Sequence, residues 1–320
     1  MRNLWLLVLF IPSLKAWSQQ NPDYATYHQE VLTAEARIAN RDFKGALQQL
    51  EQIMMDYDFV FLKEYKIASQ LALKTGDTLK TLQLLEGGIK SGWPLKEIKR
   101  NAFFKPLKRS PSWKKLMKSY PVLATEHQGT INGKLREEVH DMFKRDQKLA
   151  LGYLFRIGQK AKEKYANKKV VPHTKKQMEQ LRTILEIHGY PGEKLVGDGT
   201  WMSVILSHHN SVSEDFSKRD TLYEALRPQL LVAITKGELN PYEFALIEDW
   251  RIAVKYDRQK AGYGYIEYLN KDQLSQSNAL RKQLNIRSIA LRNTLVDIQK
   301  ETYMDFYLAG SGWVNGKIGL

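Results

Sequence analysis

NRDFKGALQQLEQIM at residues 40–54 and TGDTLKTLQLLEGGI at residues 75–89 are two versions of one pattern. In each, a short polar break leads to an acidic residue, Asp42 or Asp77, and then to a run with leucines near its centre. The two aspartates stand 35 residues apart (77 − 42). Phe43, Ala46, Leu47, Leu50, Ile53 and Met54 fall on one stripe at helical spacing, which predicts a helix from Phe43 to Met55. Working outward, Tyr24, Tyr27, Val31, Ala34 and Ile38 predict a helix over Tyr24–Ala39, ended by Asn40-Arg41-Asp42. Phe59–Leu73 repeats the pattern, Gly76-Asp77 breaks it, and Thr78–Ile89 supplies a fourth helix.

Two helical pairs at this spacing resemble tetratricopeptide-like repeats, whose unit is two antiparallel helices of about 34 residues. The resemblance covers Asn21 to about Gly92, without the family's Trp-Leu-Gly-Tyr pattern. SGWPLKEIKRNAFFKPLKRSPSWKKL then looks like the tail often seen after such repeats, with Phe104, Leu107, Trp113 and Leu116 capping the stack. The resemblance implies a concave scaffold for peptide or protein binding. It places a repeat region at 19–120, a linker at 121–133 marked by Pro, Gly, Thr and Asn, and a helical domain at 134–320.

Helical periodicity dominates the remainder. Lys134–Asn167 reads as one long helix. Pro172 opens another that runs to His188, where Gly189-Tyr190-Pro191-Gly192 stops it. Shorter helices are expected at Thr200–Asn210, Tyr223–Thr235 and Pro241–Tyr256. Asp272–Ala309 reads as one very long helix suited to meeting a partner, and the glycine-rich tail from Gly310 is expected to fray. The fold class is all-α.

MRNLWLLVLFIPSLKAWSQQ opens the chain with Arg2, an apolar run from Leu4 to Leu14, and Ala16 and Ser18 placed for cleavage before Gln19. That order is a secretory signal peptide over residues 1–18. No later segment is apolar long enough to span a bilayer, so no integral membrane segment follows cleavage. The absence of cysteine excludes disulfides, thiolate chemistry and a lipoprotein anchor. The expected location is periplasmic or secreted. A net charge of +14 is unevenly spread. Lys90–Lys118 holds ten Lys or Arg against Glu97, Lys144–Arg182 twelve against three acids, and Glu186–Asp249 eleven acids against five bases. Such fields steer anionic partners. The partner expected is a protein or an anionic envelope component (phospholipid head groups, glycopolymers, acidic proteins). Nucleic acid is excluded by compartment and by the lack of a basic motif interleaved with aromatics. Nothing in the sequence sets an oligomeric state.

The chain has no G-x-S-x-G elbow, phosphate-binding G-x-x-x-x-G-K-[ST] loop, H-E-x-x-H pair or EF-hand loop. Its informative polar residues run from Asp146 to Tyr263: Asp146-Gln147, Gly189-Tyr190-Pro191, Gly197, His208, Asp249 with Arg251, and Tyr263-Gly264. Over about Glu137–Leu269 their order resembles a bacterial domain family of unknown function, departing from it at Ser207, Trp250 and Lys260. The residues themselves suggest chemistry. Trp201, Val204, Ile205 and His208 share one helical stripe, with His209 on its flank. His188 follows Ile184 and Leu185 on the apolar face of its own helix. Neutral imidazoles of His188 and His208 on core faces could take zinc, or relay a proton, with Asp198, Glu248 or Asp249 as carboxylate partner. No cofactor is required.

Two functions therefore compete. One is an envelope binding or scaffolding protein using the repeats and the basic face. The other is a hydrolase in which His208, oriented by Asp249, acts as ligand or base while Arg251 stabilises an anionic intermediate. Asp146, Gln147 and Tyr263 are candidate ligand contacts, and Tyr265 and Tyr268 could line a groove beside Tyr263. Each has a plainer reading: hydrogen-bonded core histidines, a surface Asp-Gln step, and Asp249 and Arg251 pairing with other helices to fix the bundle.

Overall fold

Residues 23–266, 269–309 and 316–318 are described by a computed structural model. The expected signal peptide and Tyr268 lie outside the described residues. Among those residues every element is helical and none is a strand, as the periodicity demanded.

The quoted repeat is a repeat in space. Helices α1 (Tyr24–Ala39) and α2 (Phe43–Asp56) pack together, as do α3 (Leu62–Lys74) and α4 (Thr78–Lys90). The two intervening turns are the same turn. Arg41 and Gly76 take the left-handed conformation, and the amides of Asp42 and Asp77 bond back to the carbonyls of Arg37 and Ala72. Each aspartate then caps the next helix, Asp42 accepting from the Gly45 amide and Asp77 from the Lys80 amide, both at 2.8 Å. The recurring acid is thus an N-cap, worth about 1 kcal/mol at Asp77.

Helices α5 (Leu95–Arg100) and α6 (Pro111–Thr130) follow. Phe104, Leu107, Trp113 and Leu116 are buried with Leu85 and Ile89 of α4. The stretch expected as a linker is instead the second half of α6, with Pro121 inside the helix. Proline removes a backbone donor there, but Trp113, Leu116 and Leu123 on both sides of it are buried in one stripe. The Tyr120 hydroxyl further ties the helix to the Leu95 amide and the Trp93 carbonyl.

Next come α7 (Gly133–Leu154), α8 (Gln159–Tyr165), α9 (Val171–His188) and α10 (Glu193–Val196). The long helix expected to Asn167 breaks at Phe155–Gly158, where Gly158 has φ +84°. Pro172 stands in the first turn of α9, which runs to His188 as expected, and a π-helical turn, Ala166–Val170, leads directly into it. Helices α11 (Thr200–Ser211), α13 (Leu222–Thr235) and α14 (Pro241–Lys255) pack with α7 and α9 around Met142, Leu181, Ile205, Leu230 and Phe244, and α12 (Glu214–Arg219) lies against α11 and α14.

The expected Asp272–Ala309 helix is two helices, α15 (Lys271–Gln283) and α16 (Ile289–Thr302). Asn285 turns left-handed between them, and Ser288 caps α16 through the Leu291 amide. The break lets α16 return to the first hairpins, where Leu295, Ile298, Met304 and Phe306 complete the core around Tyr27, Ile38 and Leu71. Arg287, 1 % exposed, reaches across the break to Glu35 of α1 with two donors, its ring partner Tyr242 stacked 4.4 Å away. Gln70 of α3 exchanges hydrogen bonds with the Asp305 backbone. In the expected frayed tail, Ile318 is buried and paired with the Asn293 side chain.

Candidate functional site

The sequence candidates separate into three groups. His208 and Asp146 come together: α11 and α7 bring the imidazole Nδ1 within 2.5 Å of the Asp146 carboxylate. The pair is partly open, His208 keeping 27 % of its side chain exposed and Asp146 9 %. Gln147 follows on the half-buried flank of α7. His173 of α9 lies beside the pair. Burial lowers its imidazole pKa, against the opposing charge of Asp146.

The helical stripe of α11 is turned by one residue from the expected one. Met202, Ile205, Leu206 and His209 are buried, while Trp201, Val204 and His208 are half-buried. His209 is the core histidine, bridging the Thr174 hydroxyl at 2.9 Å and Asp220 at 2.8 Å. Burial would raise the Asp220 carboxyl, but its bond to His209 and that ring's charge hold it below the ordinary value. The His209 chain bolts α9 to the start of α13.

Asp249, Tyr263 and Gly264 form the second group. The Asp249 carboxylate accepts from the backbone amides of Tyr263 and Tyr265, fixing a tight turn in which Gly264 has φ +81°. A Cβ on Gly262 would meet that carboxylate at 2.2 Å. The buried Arg281 guanidinium donates to the Tyr263 carbonyl from the other side. Asp249 therefore organises a turn and is not the partner of His208, which Asp146 supplies. Tyr263 is buried at 3 % exposure, so its ring packs in the core.

Arg251 belongs to a third group. It donates to Glu224 and Glu248, and Glu248 also accepts from Arg227 and the Tyr223 hydroxyl. These partners knit α13 to α14, as the register-fixing alternative anticipated. His188 ends α9 exposed to solvent, not on a core face. Among the described residues no three metal-capable side chains converge, so the geometry supplies no zinc ligand set at His188 and His208.

A separate concavity lies elsewhere among the described residues. A cleft of about 970 Å³ lies where the first hairpins, the second half of α6, α10 and the end of α13 meet. Tyr24, Phe59 and Tyr65 line it from the hairpins, His127 and Thr130 from α6, and Glu193, Lys194 and Lys236 from the C-terminal half. Lys194 spans it, its ammonium 5.2 Å from the Tyr24 ring centre and donating to the Lys236 carbonyl. Glu193 accepts from the Leu62 amide, which opens α3, at 2.5 Å. Phe61, the residue before α3, offers no side-chain cap, so a carboxylate 131 residues away performs that role.

Burial pushes the Glu193 carboxyl up from its ordinary 4.5 to about 7; the Leu62 amide opposes this and the charge of Glu64 adds to it. Burial also holds Glu243 well above the usual carboxylate range, aided by Glu193 and Asp198. Burial, then the charge of Arg136, holds the His127 imidazole below its ordinary value. A cavity with convergent polar groups and a perturbed acid is the physical signature of a binding site. The sequence did not reveal Glu193 because it sits on a four-residue helix, too short to show periodicity. The one available signal was its place directly after the Gly-Tyr-Pro-Gly stop.

Comparison with protein-family models, with curated proteins and with solved structures finds no match for this chain.

Proposed function

We propose that this chain is an exported binding or scaffolding protein of the bacterial envelope, and that the cleft between its first hairpins and α10–α13 is where it holds its ligand. The observation carrying this reading is the cleft itself: about 970 Å³, walled by elements from both halves of the chain. Its volume is that of a pocket for a small molecule or a short polymer segment. The half-buried rings of Phe59 and Tyr65 alternate with lysines and carboxylates, suiting a ligand that is amphipathic and polar at its edges, such as a peptide or glycan segment. Export rests on the order of the first 18 residues, and the tetratricopeptide-like reading on the repeated turn and cap. Both belong to the proposal.

The test is capture from an envelope extract at low and high salt, with the wild type beside Thr235→Trp. Thr235 is exposed at the rim, so the indole fills the opening without entering the core. The expected result is a partner held by the wild type and lost by the variant. Equal retention by both would remove the cleft from consideration.

A second reading, acid–base chemistry, is favoured by the Asp146–His208 pair. A carboxylate on Nδ1 orients an imidazole, leaving the other nitrogen for a substrate. Hydrolysis of an envelope ester or amide that is lost in both His208→Ala and Asp146→Asn, with folding intact, would bring this reading forward.

A further inference from the structure

Residues 151–157, LGYLFRI, end α7 in a tip that the cleft does not use. Leu151, Leu154, Phe155 and Ile157 are 51, 66, 81 and 95 % exposed. The other large exposed hydrophobic residues (Met55, Leu79, Val122, Ile187, Val232 and Tyr303) are dispersed along the chain. Single exposures are ordinary, but four within seven residues make a contiguous apolar surface, which marks a contact. Leu151, Leu154 and Phe155 share one helical face by i, i+3, i+4 spacing. Gly158, at φ +84°, turns the chain back into α8. The tip is braced from behind. Gly152 lies so close to Tyr165 that a Cβ would meet the phenol oxygen at 2.2 Å, and Arg156 stacks on the same ring at 4.7 Å.

Cations flank this tip along α7, α8 and the π-helical turn. Lys148, Arg156, Lys160, Lys164, Lys168 and Lys169 are all exposed, and none makes an ion pair among the described residues. Asp146, buried against His208, and Glu163, which accepts from Gln159, are the two acids between residues 144 and 170; Glu163 and, from α12, Glu214 bring negative charge to Tyr153, and the segment stays strongly basic with nine Lys or Arg. An apolar point flanked by exposed lysines that make no ion pair is complementary to a surface that is anionic outside and apolar beneath. A second copy of this chain is disfavoured, because a two-fold contact would set one lysine-rich flank against another on a chain already at +14.

We propose that the 151–157 tip inserts into the interfacial layer of an anionic phospholipid bilayer, with Phe155 and Ile157 entering the acyl boundary and the flanking lysines meeting the head groups. This attachment is peripheral, since no described helix is long and apolar enough to cross a membrane. It is independent of what occupies the cleft.

The experiment is co-sedimentation of the chain from Gln19 with phosphatidylglycerol-rich vesicles and with pure phosphatidylcholine vesicles. Wild type is compared with Phe155→Ser/Ile157→Ser and with Lys160→Glu/Lys164→Glu, all at solvent-exposed positions. The wild type is expected to partition to the anionic vesicles and to release at high salt. Each double variant should lose about tenfold or more of that partition at an unchanged circular dichroism spectrum and Tm. Three outcomes overturn the proposal. One is no wild-type partition at low salt. Another is partition that the Phe155/Ile157 variant retains in full, which would place the attraction in the 90–118 basic segment. The third is a concentration-dependent dimer in light scattering that this variant dissolves, which would assign the tip to a second copy.

Discussion

Replacing Glu193 with Gln tests the electrostatics of the cleft. Gln keeps an oxygen to accept the Leu62 amide and removes only the charge. The carboxyl is raised from 4.5 to about 7 in the folded chain, so folding favours its protonated form. The sign follows by linkage: the group penalises the folded state as pH rises from about 4.5 to about 7, and the penalty is constant above. A shift from 4.5 to about 7 corresponds to about 3 kcal/mol at 1.36 kcal/mol per unit. Glu193 is only half-buried and lines an open cleft, where solvent screening discounts the figure to about 1–2 kcal/mol. Urea unfolding at pH 5 and pH 8 is the assay. Glu193→Gln should be near wild type at pH 5 and more stable by that amount at pH 8. Identical pH dependence in the two proteins, or a variant less stable at pH 8, would refute the argument that burial dominates this carboxyl. The loss would then belong to the helix-α3 cap.

Two further substitutions probe the joints of the fold. Glu35→Ala leaves the Arg287 guanidinium buried without its carboxylate and should cost about 3–5 kcal/mol in chemical denaturation, whereas Glu35→Leu with Arg287→Met should restore much of it. A single loss under 1 kcal/mol would mean that solvent reaches the pair. Asp249→Ala strips the acceptor from two buried amides, at about 1–3 kcal/mol each, and should lower Tm while leaving the nuclear magnetic resonance signals of the His208 ring in place. A shift of those signals would reinstate Asp249 as the partner of His208.

The first four helices were legible because the information is local. An apolar stripe at 3.6-residue spacing decides a helix, and Asp42 and Asp77 cap from their own sequence position. The errors share a cause. Pro121 looked like a boundary, but burial of Trp113 and Leu123 on either side outweighs one missing backbone bond. The break at Asn285 was hidden because leucines continue the period on both sides, and what bends the chain there is Glu35, some 250 residues away, drawing in Arg287. The stripe of α11 was misjudged by one residue because Ile205 fits either face. Which histidine is buried depends on whether Thr174 and Asp220, or Asp146, stand opposite.

By itself the sequence determined the fold class, the repeated hairpin, the charge segregation and the individual candidates Asp146 and His208. The tertiary structure alone decided that those two residues meet, that Asp249 and Arg251 hold backbone and helices together, and that a cleft opens beside Glu193. The physical reason is range. Helix formation and capping are settled within about four residues, whereas a carboxylate's partner, its burial and its proton affinity are set by side chains that only the packing of distant helices brings near.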